Sequence, residues 1–130
     1  ILAEDFDVRK AAARIMYSKL INSGQMCIAP DYMFIHESRV DDFVAEAKSI
    51  ARQRYTDILD KDYTCIIDQK AFDRLIATLE DAKQKNAEII KLMPGDEHNK
   101  NERKINPVIV KNVTEDMIIM QKEIFGPYLP

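Results

Sequence analysis

Asn22-Ser23-Gly24-Gln25-Met26-Cys27-Ile28-Ala29-Pro30 joins two differently patterned stretches of a 130-residue chain, and its reading decides the fold. Before it, Val8, Ala11, Ala12, Ile15, Met16 and Leu20 recur at helical spacing, which predicts a helix with one buried face. Asp5 or Asp7 is placed to cap that helix, because a carboxylate there accepts from free backbone N–H groups. Gly24 is the natural stop, since glycine takes the left-handed conformation that ends helices. Pro30 keeps any helix from running on through the cysteine. Beyond it, Tyr32-Met33-Phe34-Ile35 reads as a short, largely buried strand. Polar, glycine-containing turns between helix and strand lie at the rim of α/β sheets, where ligands collect. This one carries Cys27.

Further along, Ser38 and Asp41 have the spacing of a capping box, and Val40, Phe43, Val44, Ala47, Ile50 and Ala51 form the stripe of a second helix. Glu46, Lys48, Arg52 and Arg54 supply its wet side. A linking stretch, Asp57 to Ile67, holds Tyr63, Cys65, Ile66 and Ile67. Asp68 then caps a third helix with core positions Phe72, Leu75, Ile76, Leu79 and Ala82. Glu88 to Leu92 and Val108 to Val110 read as strands, and Pro94 to Lys104 as an exposed, mobile charged loop. Met117 to Met120 is apolar but too short to assign. Helices alternating with short apolar strands predict an α/β fold, helices packed on a mainly parallel sheet.

Composition narrows the function. Hydrophobic residues make up 46% of the chain and charged residues 32%, the balance of an ordinary soluble globular protein. The formal net charge is −3 with acids and bases interleaved, so no basic stripe invites nucleic acid. No apolar run approaches the ~20 residues that span a bilayer, and no signal peptide opens the chain. Two cysteines far apart, Cys27 and Cys65, form neither a CxxC pair nor a disulfide framework, which favours a reducing cytoplasm. His36 and His98 stand singly, without a second ligand at metal spacing, so no metal site is expected. The start at Ile1-Leu2-Ala3 and the apolar end at Tyr128-Leu129-Pro130 read as cuts within a longer protein.

On residue chemistry alone Cys27 is either a small hydrophobe or a nucleophile. Ser23, Gly24 and Gln25 beside it keep the sulfur out of an apolar core, and backbone N–H groups in such a turn can hold an oxyanion. Cys65 sits in an apolar run and reads as packing. Glu123-Ile124-Phe125-Gly126-Pro127, taken by itself, is a turn after a strand. With no GxGxxG or GxxxxGKS loop present, a nucleotide would bind mostly through residues outside this chain.

Two stretches together carry a resemblance. Asn22 to Tyr32 resembles the cysteine signature of the aldehyde dehydrogenase superfamily. Gln121-Lys122-Glu123-Ile124-Phe125-Gly126-Pro127 resembles its second signature, in the right order downstream. Ala29-Pro30-Asp31-Tyr32 after the cysteine is similar to the class 3-like branch. Asp62-Tyr63-Thr64-Cys65-Ile66-Ile67, with Arg103-Lys104 ahead of Asn106-Pro107, looks most like coniferyl aldehyde dehydrogenases.

The resemblance implies that residues 1–130 are part of a catalytic domain, with the dinucleotide-binding domain outside this chain. It implies Cys27 as the nucleophile on an aldehyde, NAD or NADP as cofactor, Glu123 on the nicotinamide ribose hydroxyls and Phe125 against the nicotinamide. It also implies a homodimeric parent acting on a small-molecule aldehyde, coniferyl or another aromatic one, in the cytoplasm. Met26, Lys122 and Tyr128 depart from the commoner family residues. The general-base glutamate and the oxyanion-hole asparagine would lie upstream, so the chain alone is expected to be inert. Two alternatives stay open: a thiol acyl-transfer enzyme needing no nicotinamide, and a catalytically silent structural or oligomerisation module.

Overall fold

Asp7 Oδ1 accepts from the N–H groups of Arg9 and Lys10 at 2.8 and 3.2 Å, and helix α1 (Val8–Leu20) starts behind it. These residues come from a computed structural model that describes residues 1–130. The bond from Lys10 is the leading cause that holds the Asp7 carboxyl below the usual carboxylate range. Helix α1 stops at Leu20, not at Gly24. A 3-10 turn over Ile21–Gly24 follows, with Asn22 and Ser23 at φ 51° and 52° and Gly24 at 72°. Three successive left-handed residues reverse the chain more sharply than a single glycine cap would.

The predicted strand Tyr32–Ile35 is extended chain without a ladder. Met33 N–H donates to Pro130 O at 2.9 Å and Phe34 O accepts from Leu2 N–H at 2.8 Å, on opposite sides. Isolated bonds to different segments set no register, so the stretch is held but not paired. It is also only half-buried: Met33 and Ile35 pack inward while Tyr32 and Phe34 are 49% and 59% exposed.

Helix α2 (Val40–Arg54) follows a 3-10 turn over Glu37–Arg39. The expected Ser38–Asp41 capping box is replaced by His36. Its Nδ1 accepts from the Ser38 N–H at 3.3 Å and lies 2.8 Å from the Ser38 hydroxyl, which occupies the serine. Helix α3 (Gln69–Gln84) is capped as expected, with Asp68 Oδ1 accepting from Ala71 N–H at 2.7 Å. Asp68→Ala leaves that end without its partner, so we expect a loss of about 1 kcal/mol in denaturant unfolding.

Strands β1 (Glu88–Lys91), β2 (His98–Asn99), β3 (Lys104–Ile105) and β4 (Val108–Lys111) follow, then the short helix α4 (Ile118–Gln121) and strand β5 (Tyr128–Leu129). The unassigned run Met117–Met120 thus lies largely in a helix. The fold is α/β, but the sheet is mixed and not mainly parallel. In the order β1-β4-β5, β1 pairs antiparallel with β4 and β4 pairs parallel with β5, while β2 and β3 make a separate antiparallel pair. The long connection through α4 allows the parallel pair, which no short turn could make. An apolar run such as Val108-Ile109-Val110 is buried on both faces in either arrangement, so its composition does not reveal direction.

Those two faces give the fold its three layers. Ile109 and Leu129 point into a core with α1 and α2, built on Met16, Leu20, Phe43 and Ala47. Val108, Val110 and Tyr128 point the other way, into a core with α3 built on Phe72, Leu75 and Leu79. The stretch Pro94–Lys104, expected as open loop, folds back through β2 and β3. Buried Asn106 pins it, bonding both Met93 backbone groups at 3.0 and 3.1 Å and Asp96 O at 3.1 Å.

Candidate active site

Cys27 sits at the second position of a tight turn closed by Ala29 N–H to Met26 O at 3.0 Å. It is exposed, as its small and polar neighbours suggested. Its own N–H donates to no backbone carbonyl and so stays available beside the sulfur. The turn stands on a buried platform. Gln25 spans it, with Nε2 donating to Asn22 O at 2.9 Å and to Cys65 O at 3.1 Å, while Oε1 accepts from Ile67 N–H at 2.9 Å. Asn22 Nδ2 returns a bond to Gln25 O at 3.1 Å, and the Ser23 hydroxyl donates to Thr64 O. The loop's rigidity therefore comes from side chains bonding backbone, which leaves the thiol side free.

Cys65 is half-buried rather than sealed, and its carbonyl supports Gln25. The Tyr63 side chain below it is fully buried, donates to Ile105 O at 2.7 Å, and has its pKa raised by that burial.

The second signature lies against the first. Gly24 and Gly126 are so close that a Cβ on Gly24 would fall 2.2 Å from Gly126 O. Gly126 is in turn backed by Leu75, whose Cδ2 lies 2.5 Å from where its own Cβ would sit. Asp31 Oδ1 accepts from Ile124 N–H at 3.0 Å, and Arg74 Nη2 on α3 donates to Ile124 O at 2.8 Å. With the Ile124 side chain buried, its neighbours Glu123 and Phe125 are turned out and exposed. Phe125 holds a left-handed φ of 44°, a strained conformation for an aromatic residue that the pinned backbone on either side maintains. Tyr128, a departure from the usual residue, is buried and donates to Leu75 O at 3.2 Å, so it closes the core beneath this loop.

Lys19, Asp31 and Arg74 are supporting residues that the sequence pattern did not single out. Lys19 carried the one available signal, a lysine in the apolar stripe of α1, three positions after Met16. Its side chain is almost wholly buried and its Nζ donates to Pro30 O at 2.9 Å. Burial pushes its pKa down to about 8, against a smaller upward pull from Asp31. The folded chain therefore binds fewer protons than the unfolded one between about pH 8 and the free value of 10.5. The stability cost of this lysine is full below pH 8 and is relieved as pH rises through that window.

An exposed thiol in a rigid turn, with a free N–H beside it and a second loop stitched alongside, defines a thiol-presenting α/β domain. The profile of the aldehyde dehydrogenase family matches residues 1–130, and the chain belongs to that family. A probable coniferyl aldehyde dehydrogenase of Caulobacter vibrioides is 40% identical over all of this chain and 27% of its own length. The coniferyl aldehyde dehydrogenase of a Pseudomonas species is also 40% identical, over 28% of its length. Among solved structures, a substrate-bound state of Staphylococcus aureus AldH superposes with a TM-score of 0.86 at 35% identity, covering 98% of this chain and 27% of that one. The NADP-dependent glyceraldehyde-3-phosphate dehydrogenase of Bacillus halodurans, complexed with NADP, superposes with a TM-score of 0.82 at 26% identity, covering 98% of this chain and 26% of that one. The chain thus spans about a quarter of the length of each of these four relatives.

Proposed function

We propose that this chain is the cysteine-bearing part of the catalytic domain of an NAD(P)-dependent aldehyde dehydrogenase, with Cys27 as nucleophile. The observation that supports this most is the pinning of the Cys27 turn to the Glu123–Phe125 loop through Gly24, Gly126 and Asp31. That contact puts a thiol, a carboxylate and an aromatic ring on neighbouring exposed segments.

In this reading the Cys27 sulfur, as thiolate, adds to the aldehyde carbonyl carbon, and the new C–S bond leaves the oxygen as an oxyanion. The Cys27 N–H, which donates to no backbone carbonyl, is the donor we assign to that charge. NAD or NADP, held at its nicotinamide end by Glu123 and Phe125, would supply the acceptor for the hydride lost from the former aldehyde carbon. Cys27 then holds the acyl group as a thioester, and water cleaves the C–S bond to give the carboxylic acid and restore the thiolate.

The residues present fit one end of that cofactor. The exposed Glu123 carboxylate can accept from two ribose hydroxyls, and the outward Phe125 ring can support a planar ring. The sequence has no GxGxxG or GxxxxGKS loop, and in this reading the pyrophosphate and the general base belong to the rest of the parent. The chain alone is therefore inert in this reading.

The named relatives point to an aromatic aldehyde of the coniferyl type as substrate. A homodimeric parent in the cytoplasm, where the thiol stays reduced, completes the reading. No helix in the structure is long and apolar enough to cross a membrane.

The test is the full-length parent supplied with coniferyl aldehyde and either dinucleotide, followed by nicotinamide absorbance. We expect aldehyde-dependent reduction, lost on alkylation with iodoacetamide and protected by prior aldehyde. Ester hydrolysis without any dinucleotide reduction would instead favour thiol acyl transfer, and a Cys27 unreactive to iodoacetamide would favour a silent module.

A further inference from the structure

Ile124 is gripped on both sides of its backbone, and the grip comes from two layers of the fold. From α3, Arg74 Nη2 donates to its carbonyl at 2.8 Å. From the cysteine's own loop, Asp31 Oδ1 accepts from its N–H at 3.0 Å. Asp31 is itself seated. The carbonyl of the peptide bond leading into it, Pro30 O, accepts from Lys19 Nζ at 2.9 Å. The path from α1 to the second loop therefore runs Lys19, Pro30, Asp31, Ile124, and it passes four residues beyond Cys27.

We propose that Asp31, seated by Lys19, is a positioning residue that sets the Glu123–Phe125 loop relative to Cys27 for dinucleotide binding. The inference rests on the aldehyde dehydrogenase reading of the site. The Asp31 carboxylate hydrogen-bonds the Ile124 amide and faces the Lys19 ammonium, and it makes no hydrogen bond to the thiol, Glu123 or Phe125. That amide lies between the two outward side chains, so a shift there moves both together. The bond lies between two loops already packed through Gly24 and Gly126, so it sets how they sit against each other rather than being what joins them. Lys19, whose pKa burial holds down to about 8, weakens the fold at neutral pH while fixing a single carbonyl. Both features fit a role in geometry better than a role in holding the chain folded.

The experiment uses the full-length parent and its Asp31→Ala, Asp31→Asn and Lys19→Met variants. Calorimetric titration with NAD and NADP is paired with hydrogen exchange at the Ile124 amide. Asp31→Ala is expected to raise the dissociation constant about tenfold and to speed Ile124 exchange. Its alkylation by iodoacetamide without dinucleotide should stay within about twofold of wild type, because the Cys27 turn has its own Gln25 platform. Asp31→Asn keeps an acceptor at Oδ1 and should stay within about threefold of wild type in binding. Lys19→Met should weaken binding in the same direction with no fall in melting temperature, and it decides the matter should Asp31→Ala fail to fold.

Asp31→Ala binding dinucleotide like the wild type, or Asp31→Asn losing as much as Asp31→Ala, overturns the inference alone. A wild-type parent that binds neither dinucleotide overturns the functional reading and this inference with it.

Discussion

Cys27→Ala in the full-length parent is expected to lower aldehyde turnover by at least about 10⁴-fold, the scale on which removal of a covalent nucleophile acts. In barrier terms that is about 5.5 kcal/mol. The loss should fall on the chemical step and leave the protein otherwise intact. Cys27 is exposed and its side chain packs no core, so melting should shift by no more than about 0.5 kcal/mol equivalent. Dinucleotide affinity should also persist, because the residues proposed to meet the cofactor belong to a different loop. Steady-state turnover, a melting curve and a binding titration on one preparation separate these outcomes. A variant that turns over aldehyde at the wild-type rate removes Cys27 from the mechanism.

Gly24→Ala is the structural counterpart, and its effect comes from two sources that add. At φ 72° any L-residue with a Cβ is strained, a cost of roughly 1–3 kcal/mol. The new methyl would also lie 2.2 Å from Gly126 O and 2.8 Å from Gly126 C, both backbone atoms. Gly126 has no room to retreat, because Leu75 fills the space behind it. Together these predict a loss of roughly 3–5 kcal/mol, at the top of the single-substitution range. Gly126→Ala is the informative comparison. There the nearest atoms to the added methyl belong to the Leu75 side chain and not to backbone, and its repacking costs about 1–3 kcal/mol. Gly24→Ala should therefore unfold at lower denaturant than Gly126→Ala, and equal midpoints would mean that the two loops are not pressed together.

Much of the fold was legible because burial leaves periodic marks. Val8, Ala12 and Met16 on α1, Phe43 and Ala47 on α2, and Leu75 and Leu79 on α3 all lie in the cores their spacing predicted. Asp68 capped where a carboxylate before an apolar run should cap. Strand direction was not legible, because Val108-Ile109-Val110 buries both faces whichever way its neighbours run. The His36 cap was missed because local bonding of Ser38 outcompeted the capping box, a choice between near-equal hydrogen bonds that spacing cannot rank.

By itself the sequence determined the α/β class, the helices and their buried faces, and the ordered pair of stretches around Cys27 and Glu123 that mark the family. Only the tertiary structure decided that these stretches meet, some hundred positions apart, through Gly24 on Gly126 and Asp31 on Ile124. The same holds for the bond from Lys19 to Pro30, because a place in the apolar stripe of α1 points to burial of the lysine but not to its partner. The physical reason is range: periodicity and capping are set by neighbours within a turn or two. Contact between distant loops depends instead on how whole layers pack, and a chain of residue types does not write that packing down locally.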